Sequence, residues 1–295
     1  MAQEQVYNSQ NFRPNKKKVL KPPYLCYILL IIWSLYVLLP LYIIVITSFK
    51  TLKDATSEVF LWWPVSGFSV QAYVRAISND GEALVRGLSN SMLFYVPRTM
   101  VALFVNLLAA YGFGKLEWRG RDAIFGFLML TMMIPGTITM TAHRMYFTML
   151  GWTNDWYPMV IPNLFGNIGG VFFLRQYVKA IPDDLIGAAK IDGMSEMRIF
   201  LTLVIPLLRA AFVARFINAF ISAYNSYTDA LIYLGNNEKN WPIQLVLKDA
   251  MTKYPGEKYI TMAYTVIGMF PLIVIYIFVQ DLIVKGSAIT SGLKG

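Results

Sequence analysis

Residues 22–49 read PPYLCYILLIIWSLYVLLPLYIIVITSF, 28 residues without a charge, between Lys21 and Lys50. Wound as a helix at ~1.5 Å per residue, the stretch is about 42 Å long, against a bilayer hydrocarbon core of ~30 Å. A block so long and apolar has no place on a water-facing globule. The composition agrees: 56% of the 295 residues are apolar and 15% are charged, where an average soluble domain carries about 25% charged residues. An ordinary soluble enzyme, a disulfide-stapled secreted domain and a disordered chain are thereby excluded. Lys and Arg exceed Asp and Glu by 26 − 17 = +9. The densest basic run abuts the apolar block, which suits a membrane surface and not nucleic acid.

Working outward, Gly87–Gly114 is equally long and interrupted by Arg98, while Ala123–His143, Trp156–Leu174 and Tyr259–Gln280 hold 21, 19 and 22 uncharged residues. A weaker block, Leu207–Leu234, contains Arg209, Arg215 and Asp229. The chain therefore reads as an all-α membrane protein of six transmembrane helices, over about residues 24–49, 88–114, 122–143, 157–175, 207–234 and 259–284. An even number places both termini on one side. That side gathers fifteen Lys and Arg against nine on the other, so the positive-inside rule makes it cytoplasmic. Residues 1–22 become a cytoplasmic basic tail, 285–295 a cytoplasmic C-terminal tail and 176–206 a long inner loop. The N-terminal apolar block is roughly twice a ~7–15-residue signal-peptide core and no A-x-A site follows, so it reads as a retained anchor.

Residue chemistry narrows the function. Cys26 is the single cysteine and His143 the single histidine. No thiol or imidazole cluster can hold a metal, and no bound cofactor is expected in this chain. No G-x-x-x-x-G-K-[ST] occurs, so the chain has no means of its own to hydrolyse ATP. Pro135-Gly136 should break the third span, and Gly151 should stop the helix after it. Trp62-Trp63-Pro64 lies in an outer segment of about forty residues, Lys50–Arg86, and Gly235–Glu257 reads as a polar outer loop. Charges inside spans are unfavourable by about 2.5–3.5 kcal/mol at a helix centre. Arg98 should therefore snorkel or face a polar cavity, and Arg215 should snorkel inward. Tyr224, Asn225, Tyr227 and Asp229 supply the aromatic faces, donors and acceptors that sugars need, and with Arg98 they are the candidate substrate pathway; belt tyrosines and helix-end polar residues are the plainer reading.

The inner loop is the most informative segment. It runs Ile181-Pro-Asp-Asp-Leu-Ile-Gly187-Ala-Ala-Lys-Ile-Asp192-Gly193-Met-Ser195-Glu-Met-Arg-Ile-Phe200-Leu-Thr-Leu203-Val-Ile205-Pro206. Pro182 opens a short helix, with Asp183 and Asp184 at its positive end. Asp192-Gly193 turns the chain, and Ser195 caps a second helix that runs back to the membrane at Pro206. Leu185, Ala188, Ala189 and Ile191 form a compact apolar edge. So small a helix–turn–helix cannot bury its own apolar face, and either packs under its own bundle or docks on another protein.

Gly187-Ala188-Ala189-x-x-Asp192-Gly193, nine residues, then Leu203-x-Ile205-Pro206 resembles the cytoplasmic signature of bacterial ABC importer permeases, whose pattern is Glu-Ala-Ala, three residues, Gly, nine residues, Ile, one residue, Leu-Pro. Gly187 stands where the family usually has Glu. Ala109-Ala-Tyr-Gly-Phe-Gly-Lys115 with Trp118-Arg-Gly-Arg121, Tyr224-Asn225, and the ending Lys285-Gly286 … Ser291-Gly292-Leu293-Lys294-Gly295 resemble the shorter permease of carbohydrate importers. The branch is typified by the second maltose-transporter permease.

That resemblance implies the type I ABC importer permease fold in the bacterial cytoplasmic membrane, and a hetero-oligomer. A second homologous permease, two copies of a cytoplasmic ATPase carrying ATP and Mg, an extracytoplasmic solute-binding protein and a carbohydrate substrate would be the partners. Gly187, Ala188, Ala189, Asp192, Gly193 and Pro206 would belong to the coupling helix and its return. Gly286, Gly292, Lys294 and Gly295 would belong to a tail reaching the ATPase interface. A glycerol-phosphate permease of the same branch is the nearest alternative. An ion-coupled secondary transporter would be expected to bury carboxylates, and Asp229 is the single such acid here.

Overall fold

The computed structural model describes residues 24–292, with side chains as far as Asp281. It divides into two units, residues through Ile43 and residues from Ile44 on. The first consists of most of α1 (Tyr24–Ser48), whose side chains from Tyr24 to Leu41 are exposed. Tyr24–Ser48 is apolar at every turn and has no stripe, as expected of a segment whose solvent is lipid.

In the second unit the chain passes through α2 (Leu52–Ala55) into α3, which spans Gln71–Gly114. The outer segment anticipated between Lys50 and Arg86 is thus loop only in its first half. Asp54 fastens that half by accepting hydrogen bonds from the backbone N–H and the hydroxyl of Ser66 at 2.8 and 2.6 Å. α3 starts well before the predicted boundary because Ala72, Ala76 and Leu84 are buried at helical spacing among charged neighbours, which a cut at charges conceals. Its 44 residues bend at Asp80, where φ and ψ leave the helical region. Lys253 at 2.5 Å, Tyr254 at 3.3 Å and Tyr264 hold the Asp80 carboxylate at that bend.

The third predicted span is two helices, α4 (Arg121–Leu130) and α5 (Gly136–Met149), bent by 92°. Pro135 is the cause: it drives Ile134 into the extended region (φ −81°, ψ 116°). Gly151 ends the segment at φ +72°, as its sequence position suggested. α6 (Tyr157–Leu164) and α7 (Ile168–Lys179) follow, a helical stretch broken at Phe165–Asn167. Asn167 caps α7 by accepting from the Gly170 N–H at 2.8 Å, and its own N–H donates at 2.8 Å to Oδ1 of Asn106 on α3. The Asn106 side chain fills the space where a Cβ on Gly166 or Gly170 would stand.

Next come α8 (Asp183–Ile191), α9 (Glu196–Ile199), a π-turn over Phe200–Val204, α10 (Ile205–Leu207) and α11 (Arg209–Tyr224). Pro206 cannot supply the N–H of a regular ladder, and the helix widens into the π-turn just before it. At Leu208 the path bends by 76°. The predicted span 207–234 is therefore not one helix. α11 ends at Tyr224, and after Asn225 and Ser226 the chain restarts as α12 (Tyr227–Leu234). The Ser226 hydroxyl bonds Asp229 Oδ2 at 2.7 Å, a local side-chain bond that competes with helix continuation.

The supposed polar loop 235–257 contains α13 (Ile243–Lys253), which buries Ile243, Leu245, Val246 and Ala250. α14 (Lys258–Gly292) closes the chain and carries Pro271. Two buried cores result. One gathers Tyr95, Trp156, Phe220, Tyr224, Ile243 and Tyr264; the other gathers Leu107, Tyr111, Leu174, Val178, Ile199 and Phe200. Among the described residues four helices are long and apolar enough to cross a membrane, or six if each bent pair counts as one span.

Candidate functional site

The inner loop has two faces. α8 buries Ile186 and Ala189, one turn apart, in the second core, and leaves Leu185, Ala188 and Ile191 outside. Ile191 is 89% exposed and Leu185 42%. The apolar edge read from the sequence is thus divided: Ala189 belongs to the bundle, and the outward edge is Leu185, Ala188 and Ile191. Of the two alternatives left open, packing under the bundle describes the inner face alone.

The turn that follows is a Schellman motif. The Gly193 N–H donates to the Lys190 carbonyl and the Met194 N–H to the Ala189 carbonyl, each at 3.0 Å, with Gly193 at φ +77°. Ser195 then accepts from the Arg198 N–H at 3.4 Å and caps α9. Gly187 has open space where a Cβ would project.

Charged side chains tie the loop to its bundle. Lys115, just past α3, pairs with Asp183 at 2.6 Å and donates to the Ile181 carbonyl at 2.5 Å. The Lys115 hydrogen bond holds the Asp183 carboxyl below the ordinary aspartate value. Tyr111 donates its hydroxyl proton to Glu196 at 2.6 Å, and Lys190 pairs with the same carboxylate at 2.7 Å. Arg175 is buried, donates to the Phe113 carbonyl at 2.9 Å, pairs with Asp122 at 2.8 Å and lies 4.1 Å from the centre of the Phe125 ring. Gly114 lets α3 pass close to Val178 of α7, whose Cγ1 stands 2.7 Å from where a Cβ would sit. The loop and the ends of α3 and α7 form one connected block.

A second feature lies between α3, the α6–α7 break and α11. It is a cavity of about 290 Å³ lined by Arg98, Asn106, Asn163, Asn167, Arg215 and Asp229, with small residues between them. Arg98 donates to the Met159 carbonyl at 2.7 Å, and its guanidinium lies 5.3 Å from the centre of the Tyr95 ring. Arg98 thus faces a polar cavity. Arg215 lines the same cavity. Of the other proposed pathway residues only Asp229 lines it. Tyr224 is fully buried, and its hydroxyl donates to the Gly268 carbonyl at 2.7 Å; Asn225 accepts from Gln244 at 3.1 Å; Tyr227 packs on the first core. Tyr224 is a core residue because α11 turns that face toward α14.

Among the described residues no group of three or more His, Cys, Asp or Glu is placed to hold a metal. Gly286 and Gly292 lie on α14 beyond the described side chains, and Lys294 and Gly295, like residues 1–22, lie outside the described residues.

The sequence pattern of the family described as binding-protein-dependent transport system inner membrane component matches residues 102–288, more than half of the chain. The chain belongs to this family. The permease is 28% identical, over 92% of its length and 97% of the relative's, to the polygalacturonan/rhamnogalacturonan transport system permease protein YtcP of Bacillus subtilis. It is 29% identical, over 67% of its length and 71% of the relative's, to the lactose transport system permease protein LacG of Rhizobium radiobacter. Its fold matches a chain in the crystal structure of a bacterial ABC transporter involved in import of the acidic polysaccharide alginate, with TM-score 0.76 and 23% identity over 88% of this chain and 95% of that one. The fold is that of the type I ABC importer permeases.

Sequence reading missed the permease's cavity amides and its loop clamps. Asn106, Asn163 and Asn167 carried a weak signal, being amides inside otherwise apolar segments. Lys115 and Arg175 were weighed as topological charges and Glu196 was read only as part of the loop, and nothing in a single sequence tells a clamp from a solvated charge.

Proposed function

We propose that this permease is one half of the translocation pathway of an ATP-driven sugar or oligosaccharide importer, coupled to a cytoplasmic ATPase through residues 176–206. The carbohydrate names of its relatives support the substrate class. One observation carries the coupling: α8 is fastened to the bundle by its inner face and its ion pairs, yet keeps Leu185, Ala188 and Ile191 outward.

In this reading the four long helices and the two bent pairs are the six spans, and both termini are cytoplasmic. α14, at 35 residues, is about 52 Å long and outreaches a ~30 Å core, consistent with a C-terminal end that projects to the ATPase side. A second homologous permease completes the pathway in the bacterial inner membrane. Two ATPase subunits supply the ATP and Mg chemistry, and a solute-binding protein delivers substrate from outside. When the ATPases close, α8 moves, and Lys115, Tyr111 and Arg175 pass the motion to α3 and α7. Along α3 the path from Lys115 to Arg98 is about 25 Å of continuous helix. The breaks at Pro135 and Gly166 are where the block can pivot.

The test is isolation of the complex through a tag on this chain, followed by reconstitution. Co-purification of an ATPase, with hydrolysis stimulated by the binding protein and ATP-dependent accumulation of a labelled oligosaccharide, is the expected result. A chain that purifies alone and transports without ATP would contradict the reading.

A further inference from the structure

The cavity's charge remains unexplained by a neutral sugar. Hydroxyl groups are served by the amides of Asn106, Asn163 and Asn167, which carry both donors and acceptors, and by the Asp229 carboxylate, which accepts. Two guanidiniums exceed that need. Arg98 is fixed by the Met159 carbonyl and the Tyr95 ring, and Asp229 lies near enough to interact with it electrostatically. Arg215 has no hydrogen bond or ion pair among the described residues. It is half-buried on α11, above Ala219, Ser222 and Ala223, which line the cavity one, two and two turns on and leave room beside it. The three charges sum to 2 − 1 = +1 in a space of about 290 Å³. An unpartnered cation within a span is unfavourable, and guanidinium binds a carboxylate through paired, parallel hydrogen bonds.

We infer that the permease carries an acidic sugar, a uronate-bearing oligosaccharide, and that Arg215 receives its carboxylate while Arg98 and the amides hold the hydroxyls. The inference rests on the sugar-importer reading and narrows it. Arg98 is held by its own chain on one edge, so it orients ligand; Arg215 is free to pair.

The test is direct binding to the purified complex in nanodiscs, without the solute-binding protein, so that the selectivity of that protein does not enter. Probes are digalacturonate, its carboxyl-reduced digalactose counterpart and glycerol 3-phosphate, with uptake of the same compounds into proteoliposomes holding all components. Digalacturonate should bind at least tenfold more tightly than digalactose. Arg215→Gln should remove that ratio while digalactose binding persists, and Arg215→Lys should restore part of it. Should Arg215→Gln fail to assemble, the wild-type ratio and its decline with added salt still decide the matter. Equal binding of the two disaccharides, or an unchanged ratio in Arg215→Gln, overturns the inference and leaves the sugar-importer reading intact. Binding and uptake of glycerol 3-phosphate in place of either sugar overturns both; no binding of any probe overturns the inference alone.

Discussion

Lys115 and Asp183 meet at 2.6 Å, joining the end of α3 to the first turn of α8. The two partners are unequal. The lysine side chain is 7% exposed and also serves the Ile181 carbonyl, while the aspartate side chain is 90% exposed. Lys115→Met should therefore strand a buried carbonyl and lower stability by about 1–3 kcal/mol, with loss of stimulated ATPase. Asp183→Asn leaves the Lys115–Ile181 bond in place and should change the melting temperature little. Calorimetry of the two variants in the complex checks the order; equal effects would contradict it.

The same pair gives a pH dependence. The Asp183 carboxyl lies below its ordinary 3.8 because it accepts a hydrogen bond from Lys115. A depressed carboxylate adds stability that is present above the unfolded value and lost as pH falls through the folded one. Hydrogen exchange of residues 181–192 should be flat from neutral pH to about 4 and rise below it. In Asp183→Asn that rise should shrink.

Gly193→Asn and Gly193→Val separate conformation from bulk. Left-handed backbone is unfavourable by about 1–2 kcal/mol for most residues, and Asn tolerates it best. Both variants should assemble. Gly193→Val should lose binding-protein-stimulated ATPase and uptake, and Gly193→Asn should keep more of each. Full uptake by the valine variant would remove the coupling role of this turn.

Gly187→Glu tests the departure from the family pattern. Open space surrounds the position, and replacing a mid-helix glycine favours the helix by about 0.5–1 kcal/mol. The variant should melt no lower than wild type. A large drop would mean that a neighbour occupies that space.

Gly170→Ala should act in the opposite direction, since its Cβ would meet the Asn106 side chain. Overpacking of this kind typically destabilises by about 1–3 kcal/mol. Asn106→Ala in the same chain should recover part of the loss, measured by thermal melting.

How much of this was legible depended on the physical signal. Long apolar helices announce themselves through charge-free length, so Tyr24–Ser48 and Lys258–Asp281 were plain in the sequence. The Pro135 break was plain too, because a missing N–H is a local fact. The burial of α13 was not. Ile243, Val246 and Ala250 sit at helical spacing, but Lys248, Asp249 and Lys253 mask the stripe. Tyr224 was misplaced because its role depends on which way α11 faces α14, a tertiary outcome. The capping of the loop by Gly193 and Ser195 was readable because turn chemistry is local. The division of Leu185, Ala188 and Ile191 from Ile186 and Ala189 required the bundle itself.

In the proposed importer the outward edge of α8 is gripped by the ATPase. A photo-crosslinking benzoylphenylalanine at Ile191 reads this directly in the assembled complex, with the same probe at exposed Met251 on α13 as the control. A covalent adduct to the ATPase subunit should form from Ile191, diminished or shifted by ATP, and none from Met251. Absence of the adduct from Ile191, or an equal yield from Met251, would contradict that grip.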